Sequence, residues 1–227
     1  MRYGSMTMKK GMLELVDKGV DEILLFPLYP QFAMATTETI LVLAENIQKE
    51  HFPNLTLDSV PAFYNKPDYI EVLSNSIAKH LKCVEYDHLL FSYHGVPERH
   101  IRKRDVTKHQ CKEVTRLVAE KLKMKEGSYS TSFQSRLGFD PWLQPYTDRT
   151  IERLGKQGIK NMAIVTPAFV SDCLETLEEI AMEGQEIFHE MGGQQFSTIP
   201  CLNDDEEWVL LLSKWINEWS KIAVILE

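Results

Sequence analysis

The sequence predicts an α/β protein that consists of two doubly wound units with parallel sheets. Short apolar runs, such as Ile23–Phe26 and Met162–Val165, have the length of buried strands. Segments with helical periodicity separate these runs, and proline or glycine marks many of the junctions. Strands that alternate with helices indicate parallel pairing, because the chain must cross back over the sheet after each strand.

The first unit covers residues 1–84 and is expected to be incomplete. Its predicted elements are a helix at 7–18, a strand at 23–26, a helix from Thr36 or Thr37 to His51, a strand at 55–60 and a helix at 68–81. No strand precedes the first helix, so the chain enters one flank of a parallel sheet midway. This order predicts that the start of the first domain is missing.

The second unit covers residues 85–227 and repeats the strand–loop–helix rhythm. Its predicted strands are 88–92, 129–133, 161–165 and 196–199. Its predicted helices are 106–123, 147–157, an acidic helix from Ser171 or Asp172 to the Gly192-Gly193 pair, and a tryptophan-rich helix after Asp204.

The composition is that of an acidic protein of ordinary globular type. Among 227 residues, 33 Asp and Glu face 25 Lys and Arg, and the net charge of −8 argues against a nucleic-acid partner. Four cysteines form no CxxC pair, which indicates reduced thiols. No apolar run reaches the roughly 18 residues of a transmembrane helix, and no signal peptide is recognisable. We therefore expect a cytoplasmic protein without a transmembrane segment.

An acidic row is the most unusual feature of the sequence. Glu175, Glu179 and Glu183 recur every four residues, so a regular α-helix would stack them on one side, opposite an apolar stripe that includes Leu174 and Leu177. Such a row is usually a solvated face. Its place after a strand favours a functional role, because open α/β sheets bind ligands at the carboxyl ends of their strands.

His94 lies at the end of another predicted strand. A single histidine is often structural, but an imidazole with a pKa near neutrality can also accept a proton or bind a transition metal. If His94 and Glu175 share one edge of the sheet, the pair could bind a divalent cation or take protons from a substrate. Glu179 and Glu183 would then line a path for cations or protons.

Trp142 stands in a loop between Pro141 and Pro145, where it could stack on a flat ligand or simply pack in the interior. The residues alone leave both interpretations open. The sequence has no G-x-G-x-x-G segment and no Walker loop, which counts against nucleotide binding. It also has no G-x-S-x-G nucleophile motif.

Four segments carry a combination that is found in a known enzyme family. They are Leu90–Pro97, Phe133–Gly138, Pro141–Thr147 and Phe169–Ile180. In this order they resemble ferrochelatases of the Gram-negative bacterial type, and the resemblance extends from Arg2 to the last helix. It implies two Rossmann-like domains of chelatase type around a porphyrin cleft. It also implies insertion of Fe(II) into protoporphyrin IX, the last step of haem b synthesis.

The resemblance implies roles for the residues singled out above. His94 and Glu175 would be catalytic, removing pyrrole protons or binding the incoming metal. Glu179 and Glu183 would continue the metal-binding row, along a helix that is locally of π type in the family. A π-type helix would change the regular i, i+4 geometry of the row.

The resemblance also implies a set of substrate-binding residues. Arg2, Tyr3 and Tyr29 match residues of the cleft wall in the first domain. Trp142 and Phe169 match aromatic positions near the macrocycle, which would suit a cavity for a flat apolar ring system.

Protoporphyrin IX and Fe(II) are then the expected partners, with Fe(II) as a substrate and no permanently bound cofactor. An iron–sulfur cluster is not expected, because the sequence up to Glu227 lacks the C-terminal cysteine set of cluster-containing members. The lipophilic substrate leaves peripheral membrane contact open, and the oligomeric state is not indicated.

Two alternatives stay open at this point. One is a cobalt or nickel chelatase that acts on another tetrapyrrole. Related chelatases usually carry a second ligand histidine in the acidic helix, where this sequence has Cys173 and Glu178. The other is a non-catalytic module that binds a tetrapyrrole or a metal, which the incomplete first unit makes worth considering.

Overall fold

A computed structural model describes the backbone of residues 5–225 and the side chains of residues 5–220. Within residues 5–225 the chain forms six strands: β1 (Glu22–Leu25), β2 (Thr56–Ser59), β3 (His88–His94), β4 (Tyr129–Gln134), β5 (Asn161–Val165) and β6 (Gln195–Thr198). The alternation of strands with helices that the sequence predicts is confirmed.

The helices of the same residues are of two kinds. The α-helices are α1 (Met8–Val16), α2 (Thr39–His51), α3 (Pro67–Leu81), α4 (Glu98–Arg102), α5 (Thr107–Lys121), α6 (Thr147–Lys156), α7 (Gly184–Glu190) and α8 (Glu206–Ile225). The π-helices, in which each N–H bonds to the carbonyl five residues earlier, are π1 (Met34–Glu38) and π2 (Glu175–Glu183).

The larger sheet has four parallel strands in the order β4–β3–β5–β6. Its central strand β3 is buried along its whole length except at its last residue, His94. A strand with neighbours on both edges and helices on both faces needs apolar side chains throughout, as in Leu89–Phe91. The first polar, accessible side chain of β3 therefore appears where the strand leaves the sheet.

The smaller sheet pairs β1 with β2 in parallel, from Glu22 opposite Thr56 to Leu25 opposite Ser59. The helix that follows β2 is α3, and it packs against two helices of the second unit, α5 and α8. Its Tyr69 and Ile77 share one apolar core with Leu89 of β3 and Trp208 of α8. The two units predicted from the sequence are thus joined by a common core, and their boundary at residue 84 stays a prediction.

Aromatic side chains make up much of this shared core. The rings of Phe63 and Tyr69 meet edge to face with centroids 5.0 Å apart, and Trp215 lies 5.3 Å from Phe63. Edge-to-face contacts of this kind add to the stability gained from burial alone. The tryptophan-rich last helix is therefore anchored on the first unit.

The first π-helix corrects the predicted start of the second helix. Thr36 and Thr37 do not cap it, because they lie inside π1, which runs directly into α2. The Met34 carbonyl accepts a hydrogen bond of 2.8 Å from the Thr39 hydroxyl, and the Met34 N–H donates to Asp105 of the second unit. A tertiary contact thus sets the beginning of this helix.

The acidic helix also differs from the regular α-helix that the row of glutamates suggests. Its repeating bonds begin at Glu175, and neither Ser171 nor Asp172 caps it with a side-chain hydrogen bond. Leu174 and Leu177, expected on the buried stripe, are 69% and 56% exposed. The wider turn of a π-helix shifts which residues face inward, so the π geometry expected from the family resemblance is confirmed.

Asp172 does not cap π2 but connects two loops through hydrogen bonds. Its carboxylate accepts hydrogen bonds from the Asn203 amide at 2.7 Å and from the Thr176 hydroxyl at 3.0 Å. These bonds hold the pKa of Asp172 below its usual range, although partial burial of the carboxyl opposes the shift. The loop before π2 is therefore tied to the loop before α8.

Among the helices described, none is long and apolar enough to cross a membrane.

A buried histidine at the opposite end of β3 makes the fold sensitive to acid. The His88 Nε2 atom lies 2.8 Å from the Ser130 hydroxyl, and burial, together with the charge of Arg153, lowers the pKa of His88. The unfolded chain then binds this proton more readily than the folded chain. Stability that is present above about pH 6.5 is lost as the pH falls toward the lowered pKa.

We expect His88→Gln, whose amide can still reach Ser130, to lose less thermal stability than the parent between pH 7.5 and pH 5.5. Circular dichroism melts at both pH values measure the difference. The exposed His189→Gln variant should keep the parental pH dependence. An unchanged pH dependence in His88→Gln would contradict this account.

Candidate active site

His94 ends the central strand with one ring nitrogen already engaged. Its Nδ1 atom lies 2.7 Å from the carbonyl oxygen of Gly95. A carbonyl oxygen only accepts hydrogen bonds, so Nδ1 carries the proton and the neutral ring has its lone pair on Nε2. His94 is thus prepared to accept a proton, or to donate a lone pair to a metal, through Nε2.

Two aromatic rings flank His94. The ring centroids of Trp142 and Phe169 lie 6.3 Å and 6.1 Å from that of the imidazole. Together they border a cleft of about 690 Å³, a volume that includes its open mouth. Most of the lining is apolar or aromatic: Tyr29, Gln31, Ala33, Ala35, Thr36, His94, Gly95, Val96, Pro97, Thr107, Cys111, Trp142, Ala168 and Phe169. A cavity of this size and polarity suits an organic ligand.

The backbone holds Trp142 in place. Its indole N–H donates a hydrogen bond of 2.9 Å to the Leu137 carbonyl, and Trp142 pairs with Pro97 in an antiparallel bridge. A Cβ atom on Gly95 would lie 3.3 Å from the Trp142 ring and 3.1 Å from the Gln134 carbonyl oxygen. The close approach of these segments therefore depends on glycine at position 95.

The opposite wall of the cleft comes from the first unit and is bonded to the second. The Gln31 amide donates to the Pro167 carbonyl at 3.3 Å. The Phe32 N–H donates to Gln110 at 2.6 Å, and the Met34 N–H donates to Asp105 at 2.8 Å. These bonds fix the segment that carries Tyr29 and the residues around Ala33 opposite His94.

Glu175 begins π2 close to this cleft. The hydrogen bond from the Cys173 thiol and the backbone N–H of Glu175 itself lower the pKa of its carboxyl. A protonated His94 would act in the same direction, while partial burial of the carboxyl opposes the shift. Glu175 is therefore an ionised group at neutral pH and lies within electrostatic reach of His94.

The other two glutamates of the row lie elsewhere. Both carboxylate oxygens of Glu179 accept hydrogen bonds from Ser135, one from its N–H at 2.6 Å and one from its hydroxyl at 2.7 Å. Glu183 is exposed and lines, with Glu179, a second and more polar cavity of about 580 Å³ beside Arg136. The second cavity does not include His94.

The predicted metal-binding set is therefore divided. His94 lines the apolar cleft, and Glu175 interacts electrostatically with His94 without lining either space, whereas Glu179 and Glu183 line the polar cavity. No group of three or more His, Cys, Asp or Glu side chains within the described part of the chain is arranged to hold a metal ion. The structure does not bring the four predicted ligands together in one coordination site.

The predicted substrate-binding residues are partly located. Tyr29, Trp142 and Phe169 line the cleft around His94. Arg2 and Tyr3 lie outside the described residues.

Three residues at the site were not predicted from the sequence. Gln134 ends β4 beside His94, Ser135 binds Glu179, and Asp105 joins the two walls of the cleft. Gln134 and Ser135 fall in a segment that carries the family resemblance, and both follow a strand, which is the signal that identified His94. Asp105 precedes Thr107 at a helix start, where a carboxylate commonly accepts backbone N–H groups.

The family model and the curated relatives that match this chain belong to one family. The family model described as ferrochelatase matches residues 1–219. The chain is 42% identical over 218 residues to a ferrochelatase of Nitrobacter hamburgensis, covering 95% of this chain and 63% of that protein. A ferrochelatase of Bradyrhizobium sp. is 46% identical over 90% of this chain and 59% of its own length. The chain thus spans about three fifths of the length of these relatives.

A solved structure supports the fold. SirB from Bacillus subtilis with Fe³⁺ aligns with a TM-score of 0.62 at 16% identity, over 90% of this chain and 73% of that one. At this identity the likeness shows the chelatase-type α/β fold alone. The sequence match over nearly the whole chain goes further, and it shows that this chain belongs to the ferrochelatase family.

Proposed function

We propose that this chain carries the catalytic residues for insertion of Fe(II) into protoporphyrin IX, the reaction that forms haem b. The observation that carries the proposal is the His94 Nε2 lone pair, placed between two aromatic rings and near an ionised glutamate. The family membership and the size of the cleft support the same substrate class.

The chemistry defines what the site must do. Insertion of Fe(II) replaces two pyrrole N–H protons, so both protons must leave the ring as the cation enters. The macrocycle would lie between the aromatic walls formed by Trp142 and Phe169 on one side and Tyr29 on the other. Burial of its apolar edges would supply binding energy that can offset distortion of the flat ring.

His94 would accept one pyrrole proton at Nε2. The resulting imidazolium is stabilised by the Gly95 carbonyl at Nδ1 and by the negative charge of Glu175. Glu175 would either accept the second proton or bind the incoming Fe(II), and in the latter case the second proton would pass to water at the open mouth of the cleft. The lowered pKa of Glu175 keeps its carboxylate ionised and makes it a weak base, so binding of the cation suits this residue better than proton removal does.

Glu179 and Glu183 would supply a negative surface outside the cleft. Because Ser135 already binds both oxygens of Glu179, we assign this residue a part in attracting cations through its charge rather than in direct coordination. Glu183 is exposed and can exchange cations with solvent.

The alternative of a cobalt or nickel chelatase has less support. The π2 helix that carries Glu175 contains no histidine, whereas that alternative calls for a second histidine ligand in this segment.

The four cysteines are free thiols, which supports a reducing compartment and hence a cytoplasmic location.

The loop between β4 and α6 supports contact with a membrane surface. Leu137 is 79% exposed and Phe139 is fully exposed, and the Leu137 carbonyl binds the Trp142 indole at the cleft. We propose that this loop inserts its apolar side chains at a lipid interface, beside the entrance for a lipophilic substrate.

Replacement of His94 by alanine should lower kcat for metal insertion by at least about a hundredfold, because it removes the proton acceptor. Loss of porphyrin fluorescence on addition of Fe(II) or Zn(II) measures the rate. The exposed His109→Ala variant is the matched control and should keep the parental rate. A parent chain that metallates no protoporphyrin, or a His94→Ala variant with a normal rate, would contradict the proposal.

Replacement of Glu175 by glutamine keeps the size of the side chain and removes its charge. We expect a fall in kcat of about tenfold or more with little change in the Kd for protoporphyrin. The neighbouring Glu178→Gln variant removes the same charge from an exposed position and should change kcat less than threefold. Equal losses in the two variants would point to net charge instead of the Glu175 carboxylate.

The membrane contact can be tested with the double variant Leu137→Ser, Phe139→Ser. It should sediment less with vesicles of mixed zwitterionic and anionic lipid than the parent does, because its exposed apolar area is smaller. Leu210→Ser, at an exposed position of α8, serves as the control and should leave sedimentation unchanged. Sedimentation that is identical in all three proteins would exclude this loop as the contact.

A further inference from the structure

We propose that Gln134 is a positioning residue that sets the placement of Glu175 relative to His94. This inference rests on the proposed function, in which the two side chains act on one substrate. Gln134 touches neither a substrate nor a metal in this proposal. It acts through the backbone on each side of it.

Gln134 is bonded to the His94 side of the site through its main chain. It is the register partner of His94 in the β3–β4 ladder, and its carbonyl accepts a hydrogen bond of 2.9 Å from the Gly95 N–H. The Gly95 carbonyl in turn holds the His94 Nδ1 proton. The backbone of Gln134 therefore supports the peptide that orients the imidazole.

The side chain of Gln134 reaches the Glu175 side. Its Nε2 atom donates a hydrogen bond of 3.0 Å to the backbone carbonyl of Glu175, the first residue of π2. No side chain caps the start of this helix. The amide of Gln134 thus ties the beginning of π2 to the end of β4, across 41 positions of sequence.

A chain of buried hydroxyls fixes the orientation of this amide. The Glu175 carbonyl only accepts, so the Gln134 Nε2 atom must face it and Oε1 must face Ser92, whose hydroxyl donates at 2.7 Å. Ser92 then accepts from Thr147 at 2.7 Å, and Thr147 accepts from Ser132 at 2.9 Å. All donors therefore point in one direction, toward the Glu175 backbone.

The burial of Gln134 makes its hydrogen bonds difficult to replace. Gln134 is 3% exposed, so water does not readily replace a missing partner of the Glu175 carbonyl or of Ser92. A side chain that fills the same volume without donating would remove the bond between π2 and β4, and the Glu175 backbone could then shift relative to His94 even though Thr176 stays bonded to Asp172. A displacement of about 1 Å at a reacting group can cost about a hundredfold in rate.

The first test compares Gln134→Met with Ser132→Ala. The methionine variant keeps the volume and loses both hydrogen bonds, and we expect kcat for metal insertion to fall about tenfold to a hundredfold while the Kd for protoporphyrin stays within about twofold. Ser132→Ala interrupts the same hydroxyl chain at its far end and should change kcat less than threefold. Equal effects of the two variants would overturn the proposal, because they would reduce Gln134 to a general packing role.

The second test uses Gln134→Glu, which preserves shape. When protonated, the new carboxyl can donate to the Glu175 carbonyl and accept from Ser92, whereas the ionised form cannot donate. The kcat deficit relative to the parent should therefore shrink as the pH is lowered from 8 to 6. A deficit that is constant over this range, or no deficit at all, would contradict a role as hydrogen-bond donor.

The third measurement does not depend on activity. Hydrogen–deuterium exchange of the amides at 174–179 should become faster in Gln134→Met and remain parental in Ser132→Ala. Unchanged exchange in both variants would overturn the positioning role. If exchange responds as expected but the parent chain inserts no metal, the proposed function fails and the structural role of Gln134 stands.

Discussion

Parallel pairing of β3 with its two neighbours is the constraint on which the rest of the structure depends. It directs the carboxyl ends of β3, β4 and β5 to one edge of the sheet, as open α/β sheets require at their ligand sites. Because β3 is buried on both faces, His94 becomes usable only where the strand ends. The same pairing places Gln134 beside His94. The loop that leads to π2 begins at the same edge, where β5 ends. The site is a consequence of strand direction.

Two chemically different spaces meet at this edge. On one side, Trp142, Phe169 and Tyr29 form an apolar cleft, and on the other side Glu179 and Glu183 line a polar cavity beside Arg136. Gln134 lines the polar cavity, and its side-chain amide donates a hydrogen bond to the Glu175 carbonyl. In the proposed reaction an apolar macrocycle and a hydrated cation would have opposite solvation requirements, and two separate spaces of different polarity would suit them.

The sequence predicts what depends on local patterns and misses what depends on tertiary contacts. The strand at Asn161–Val165 is readable because four consecutive buried positions are apolar. The π form of the acidic helix is not readable from spacing, since glutamates every four residues suit an α-helix equally well, and only the family resemblance indicated it. The bond from Gln134 to the Glu175 carbonyl joins distant segments, and no periodicity reports such a contact. His94 was found because its place at a strand end is itself a local feature.

The three bonds that attach Gln31, Phe32 and Met34 to the second unit have a consequence for ligand exchange. They hold the wall that carries Gln31 and Ala33 against the wall that carries Thr107 and Ala168, so the two walls cannot part without breaking these bonds. The width of the cleft is therefore set before a ligand enters, and a ligand has to fit the space that these bonds leave.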